Sequence, residues 1–116
     1  MKYLFICQHN FTRSKFGASF FRGFLEGKGI KAKVGSAGIG FVSYFLGRRV
    51  NRKIIQRVDW IFVMEGYMKD YFVENFGVDS KKIVVLNIKD EYGFFKRKSI
   101  KSLNEIFGKI NWEKYL

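Results

Sequence analysis

Residues 2–16 read KYLFICQHNFTRSKF, a stretch that holds the start of a strand-and-helix fold. The run KYLFI (2–6) is continuously apolar after its first residue and contains Tyr, Phe and Ile, which suits a short strand buried on both faces. The stretch from Gln8 to Thr12, polar except for Phe11, interrupts it. From Arg13 onward Phe16, Phe20 and Phe24 recur every four residues, as one face of a helix does. The first unit is therefore strand, loop, helix, and Cys7 stands where the strand gives way to the loop.

Working outward, GKGI (27–30) closes that helix and KAKVGSAG (31–38) reads as a second strand with Ala32 and Val34 on one side. Residues 38–47 lack periodicity and read as a long loop. Asn51 can cap a helix carrying Ile54, Ile55 and Val58, and WIFVM (60–64) is another buried-strand run. Met68, Tyr71, Phe72 and Phe76 trace a helical face that Gly77 ends. KIVVLNI (82–88) is the last strand, KDEYGFF (89–95) a loop, and Ile100, Leu103, Phe107 and Ile110 mark a closing helix. Alternating strands and helices predict an α/β fold: a single domain spanning 1–116, with an open parallel sheet of about four strands and helices on both faces. In such sheets ligands bind beyond the carboxyl ends of the strands, where both Cys7 and Asp90 fall.

Composition narrows the chemistry. A chain of 116 residues suits one domain. The 14 Phe residues among 19% aromatics must fill the core and line any cleft. With 22 Lys and Arg against 10 Asp and Glu, the net charge of +12 favours anionic partners, although a solvated lysine-rich surface would read the same way. The one cysteine excludes an internal disulfide framework and a cysteine-based zinc site, and the one histidine supplies no cluster, so no metal and no cofactor is expected. The N-terminal apolar run is too short for a signal peptide, and no other stretch approaches the ~20 apolar residues of a membrane span. A cytoplasmic location with a reduced Cys7 and no membrane partner is the expectation.

A loop between a strand and a helix can turn successive backbone N–H groups inward, facing the same way as the positive N-terminal end of the helix. Such a nest holds a phosphate and stabilises a thiolate. Arg13 at the start of the helix can clamp two phosphate oxygens with its planar guanidinium. Taken singly, Cys7 reads as a small buried apolar residue; with Arg13, Ser14 and its placement it reads as a nucleophile.

Cys, five residues, Arg, Ser near the N-terminus resembles the signature of the low-molecular-weight protein tyrosine phosphatases. Asn10 and Ser14 match that family's loop asparagine and serine, GSAG (35–38) resembles its Ser-Ala stretch, Arg48 and DWIFVME (59–65) match in order and spacing, and DEY (90–92) falls where the family has Asp-Pro-Tyr. The resemblance covers essentially the whole chain. It implies that Cys7 is the nucleophile, Arg13 the phosphate clamp and Asp90 the general acid. Gln8, His9, Asn10, Phe11, Thr12 and Ser14 would then form or support the phosphate loop, with Ser36 beside Asn10. The match makes Tyr92 a wall of the substrate cleft; Phe41, which singly reads more readily as core, is assigned to the same cleft without support from the match. The substrate implied is a phosphorylated protein or small aryl phosphate, with phosphate, sulfate or vanadate as site ligands.

Some positions depart from the family pattern. Thr12 replaces the second loop cysteine of many members, His9 the usual glycine, and Glu91 the proline after the acid. An arsenate reductase of the same fold would need an external thiol here. A catalytically weak anion or nucleic-acid binder would use the charge and the loop without turnover.

Overall fold

A computed structural model of the chain describes residues 1–8, 13–40, 49–89 and 97–116, with only the backbone of 97–101. The expected loop residues 9–12, the segment 41–48 and residues 90–96 lie outside the described residues.

The elements follow the predicted alternation: β1 (Lys2–Cys7), α1 (Arg13–Gly27), β2 (Lys33–Gly38), α2 (Arg52–Ile55), β3 (Trp60–Val63), α3 (Gly66–Phe76), β4 (Ile83–Val85) and α4 (Arg97–Gly108), with 3-10 turns at Ser80–Lys82 and Trp112–Tyr115. The four strands form one parallel sheet in the order β2-β1-β3-β4. The chain leaves β1 toward one neighbour and later returns to the other. Beyond the carboxyl end of β1 lies the switch point at which such sheets bind ligands.

The two faces of β1 explain its apolar run. Tyr3 and Phe5 point toward α1: Tyr3 lies 4.6 Å from Phe21, and Phe5 packs 4.8 Å from Phe62 and 5.8 Å from Trp112. Leu4 and Ile6 alternate to the opposite face and are equally buried, together with Ile61 and Val63 of β3. Burial on both faces leaves no polar position to alternate with, which is why the strand reads as a continuous run.

Local chemistry sets the ends of the helices. Ile30 N–H donates to Leu25 O across Gly29, which takes φ +68°, and Val78 N–H donates to Phe72 O across Gly77, at φ +62°. The side chain of Asn51 accepts from Ile54 N–H at 2.9 Å and caps α2 as expected. Two expected elements are shorter than their apolar pattern. The second helix stops at Ile55, before Val58, because Arg57 turns to φ +58°. β4 ends at Val85, short of residue 88, because Asn87 takes the left-handed conformation that asparagine tolerates.

The phenylalanine row of α1 lies at the flank of its buried face. Phe16, Phe20 and Phe24 are partly buried, whereas Gly17, Ala18, Phe21 and Leu25 are fully covered. Leu103 and Phe107 seat α4 on the same side, with the Phe107 ring 5.6 Å from that of Phe16. Among the described residues no helix is long and apolar enough to cross a membrane.

Candidate active site

The carboxyl ends of β1, β2 and β3 converge on one place. Cys7 is the last residue of β1 and pairs with Gly38 of β2, and it is only 3% exposed. Its Sγ lies 3.0 Å from Oγ of Ser14, the second residue of α1, which is fully buried. Strand end and helix start thus meet through a thiol and a hydroxyl, either of which can donate. A hydroxyl in this position can donate to a thiolate, and the first turn of a helix favours negative charge beside it.

Arg13 opens α1 and is 3% exposed. Its Nη1 donates to Ile88 O at 2.7 Å and, at the longer distance of 3.3 Å, to Oε1 of Glu65. Burial of a guanidinium is tolerated only where its donors are engaged. Two segments distant in sequence supply these acceptors. Glu65 sits at the N-cap position of α3, but its side chain makes no cap bond to its own helix and turns to Arg13. Ile88 reaches Arg13 because the backbone turns at Asn87, while Leu86 N–H donates to Val63 O and Ile88 N–H to Met64 O, both at 2.8 Å. The segment leading toward Asp90 is thereby tied to the end of β3 and to Arg13.

Gln8 joins the remaining pieces. Its carbonyl accepts from Gly40 N–H at 2.6 Å, Cys7 O accepts from Ile39 N–H at 3.3 Å, and Arg49 donates back to Ile39 O and Gly40 O. The Gln8 side chain accepts from the hydroxyl of Tyr67, in the first turn of α3, at 2.6 Å. Ser36 lies in β2 opposite Phe5, two residues short of the strand end, and is partly buried.

Of the residues singled out from the sequence, Cys7, Gln8, Arg13 and Ser14 are brought together, and Ser36 stands in the adjoining strand. His9, Asn10, Phe11, Thr12, Phe41, Asp90 and Tyr92 lie outside the described residues, as does Arg48. Glu65, Tyr67, Arg49 and the Ile88 carbonyl were given no role from the sequence. Glu65 carried a signal nonetheless: it is a carboxylate directly after the WIFVM run, at the edge of the sheet where ligands bind.

The fold is that of the low-molecular-weight protein tyrosine phosphatases. A low molecular weight protein tyrosine phosphatase from T. tengcongensis superposes with a TM-score of 0.76 at 18% identity, covering 93% of this chain and 93% of that one. Tyrosine phosphatase Wzb from Escherichia coli K30, in complex with sulphate, gives 0.72 at 18% identity over 91% and 90% of the two chains. The YwlE arginine phosphatase from Geobacillus stearothermophilus gives 0.64 at 21% identity over 92% and 88%. No family model matches the sequence, and no curated protein does.

Proposed function

We propose that the chain is a cysteine-dependent phosphatase acting on phosphotyrosine or a similar aryl phosphate through a phosphocysteine intermediate. The observation that carries this reading is the buried Cys7 Sγ–Ser14 Oγ contact of 3.0 Å at the end of the first strand, with buried Arg13 next to it in the chain. A thiol needs neither a hydroxyl nor an arginine beside it to pack well. A thiol that attacks phosphorus gains from both.

In the first step the Cys7 thiolate lone pair forms the S–P bond as the bond from phosphorus to the aryl oxygen breaks, and Asp90 gives that oxygen its proton. Arg13 and the N–H groups of residues 8–13 stabilise the equatorial oxygens. In the second step water attacks phosphorus, its proton passes to Asp90, and the S–P electrons return to Cys7 as phosphate leaves. Two observations support these assignments: Arg13 binds the carbonyl two residues before Asp90, and Wzb, which shares the fold, is seen in complex with sulphate. The net charge of +12 favours anionic phosphoproteins over neutral ones. The location proposed is the cytoplasm.

The test is steady-state release of nitrophenol from nitrophenyl phosphate by wild type and Cys7→Ser, in the presence of a chelator. Loss of at least ~10³-fold on replacing Cys7 is expected for an essential covalent catalyst. Equal, background rates for the two proteins would overturn the reading. Phosphoarginine belongs in the substrate set because a YwlE arginine phosphatase shares the fold, and turnover of phosphoarginine in preference to phosphotyrosine would overturn the aryl assignment alone.

A further inference from the structure

Among the described residues, the aromatic side chains are packed away, with one exception. Phe5, Phe21, Phe62, Phe72, Phe107 and Trp112 are buried, and the other described aromatic side chains are at least partly covered, but Tyr67 is 50% exposed. Leaving an aromatic ring half in water forgoes burial worth on the order of 1 kcal/mol or more, so such a ring at the edge of a site calls for a reason. Tyr67 lies in the first turn of α3, at the carboxyl end of the sheet, and its hydroxyl donates at 2.6 Å to the side chain of Gln8, the residue after Cys7. That bond spans 59 positions of sequence and ties the ring to Gln8, the residue that follows Cys7. Two residues earlier, Glu65 accepts from Arg13 at the other end of the 8–13 segment. The start of α3 therefore holds both ends of the segment that follows Cys7, and it offers an aromatic face at one of them.

We propose that Tyr67 is a specificity-determining residue of the site, whose ring, held by Gln8, forms a wall for the aryl group of the substrate. The proposal rests on the phosphatase reading and adds a residue and a substrate preference to it. A tethered ring loses little freedom on contact with ligand, so its stacking against an aryl group goes largely into affinity. An alkyl phosphate or bare phosphate gains nothing from it. The preference of the site for aryl over bare phosphate therefore resides partly in Tyr67.

The experiment compares wild type, Tyr67→Ala and Tyr67→Phe, each combined with Cys7→Ser so that binding is read without turnover. Calorimetry gives the affinity of each for phenyl phosphate and for inorganic phosphate. Tyr67→Ala is expected to lower the ratio of phenyl phosphate to phosphate affinity roughly five- to tenfold, in the range of one aromatic contact. Tyr67→Phe keeps the ring and is expected to retain most of the ratio. In the Cys7-intact proteins, Tyr67→Ala should raise KM for nitrophenyl phosphate more than it lowers kcat. An unchanged affinity ratio in Tyr67→Ala overturns the proposal, as does an equal fall for both ligands, which would mark Tyr67 as a support of the loop alone. Because the ratio is measured without turnover, its outcome is separate from that of the Cys7→Ser rate test: absent turnover with a ratio that falls on Tyr67→Ala sinks the phosphatase reading and leaves the aryl wall standing.

Discussion

Replacing Ser14 by alanine removes the hydroxyl 3.0 Å from Cys7 Sγ and little else. Ser14 is fully buried, so water has no ready path to replace the lost partner. The hydroxyl stabilises Cys7 as an anion twice in the proposed cycle: as the attacking thiolate, and again as the leaving group when phosphocysteine is hydrolysed. A hydrogen bond to a charged group contributes about 1.5–3 kcal/mol. At roughly 1.4 kcal/mol per decade, that predicts a fall in kcat/KM of about ten- to 150-fold. Alkylation of Cys7 by iodoacetamide at a fixed, mildly acidic pH should slow in the same direction, since it reads the thiolate without phosphoryl transfer. A thermal melt run in parallel separates chemistry from folding. Unchanged alkylation and turnover, with only a lowered Tm, would refute the reasoning and leave Ser14 a packing residue.

Three further outcomes follow from other parts of the molecule. A methyl group at Gly17 would sit 2.7 Å from Phe5 Cδ2 and 3.0 Å from the Phe107 ring. Gly17→Ala should therefore destabilise by about 1–3 kcal/mol from overpacking, exceeding the ~1 kcal/mol gain in helix propensity, and a raised Tm would contradict the packing between α1, β1 and α4. Burial, and secondarily the Asp59 carboxylate, holds the Tyr3 phenol above its ordinary pKa, and its hydroxyl donates to Tyr115 O at 2.6 Å. The folded state thus keeps this proton more tightly than the unfolded chain, so its contribution is complete below about pH 10 and is lost as pH rises through the folded value. Denaturant titrations should show Tyr3→Phe less stable at neutral pH but with a shallower alkaline decline; an identical slope would contradict the assignment. Asp90→Asn should slow hydrolysis of phosphotyrosine far more than of nitrophenyl phosphate, whose leaving group departs readily as an anion, and the same signature in Glu91→Gln instead would move the general acid by one residue.

The parts of the fold that the sequence revealed are those in which one local pattern answers to one burial state. YLFI and WIFVM are apolar throughout because β1 and β3 are covered on both faces. The lengths of α2 and β4 were misread because backbone turns at Arg57 and Asn87 cut across the apolar pattern. Asn87 belongs to a residue type enriched at positive φ and gave some warning, while Arg57 gave none. In α1 the four-residue phenylalanine spacing drew attention to the flank, whereas the buried face carries Gly17, Ala18, Phe21 and Leu25, with Gly17 in close approach to Phe5 and Phe107.

The site divides in the same way. Cys7, Arg13 and Ser14 were legible because a strand, a loop and a helix start place them within eight residues of one another. Glu65 and Ile88, the partners of Arg13, and Tyr67, the partner of Gln8, arrive through the parallel pairing of β1 with β3 and of β3 with β4. Sequence spacing does not encode which residue after a third strand will face an arginine after the first. The position of Glu65 at the carboxyl edge of the sheet was the available clue, and its engagement with Arg13 in place of an N-cap bond depends on tertiary register alone.

The proposed phosphatase cycle requires a covalent bond between phosphorus and Cys7 during turnover. Rapid acid quenching of the wild-type protein with nitrophenyl phosphate, followed by peptide mass spectrometry, reads this directly. A phosphorylated peptide carrying the modification on Cys7, formed as fast as nitrophenol is released in the first turnover, is the expected result. Nitrophenol release with Cys7 unmodified at every quench time, or phosphate found on another residue, would contradict it.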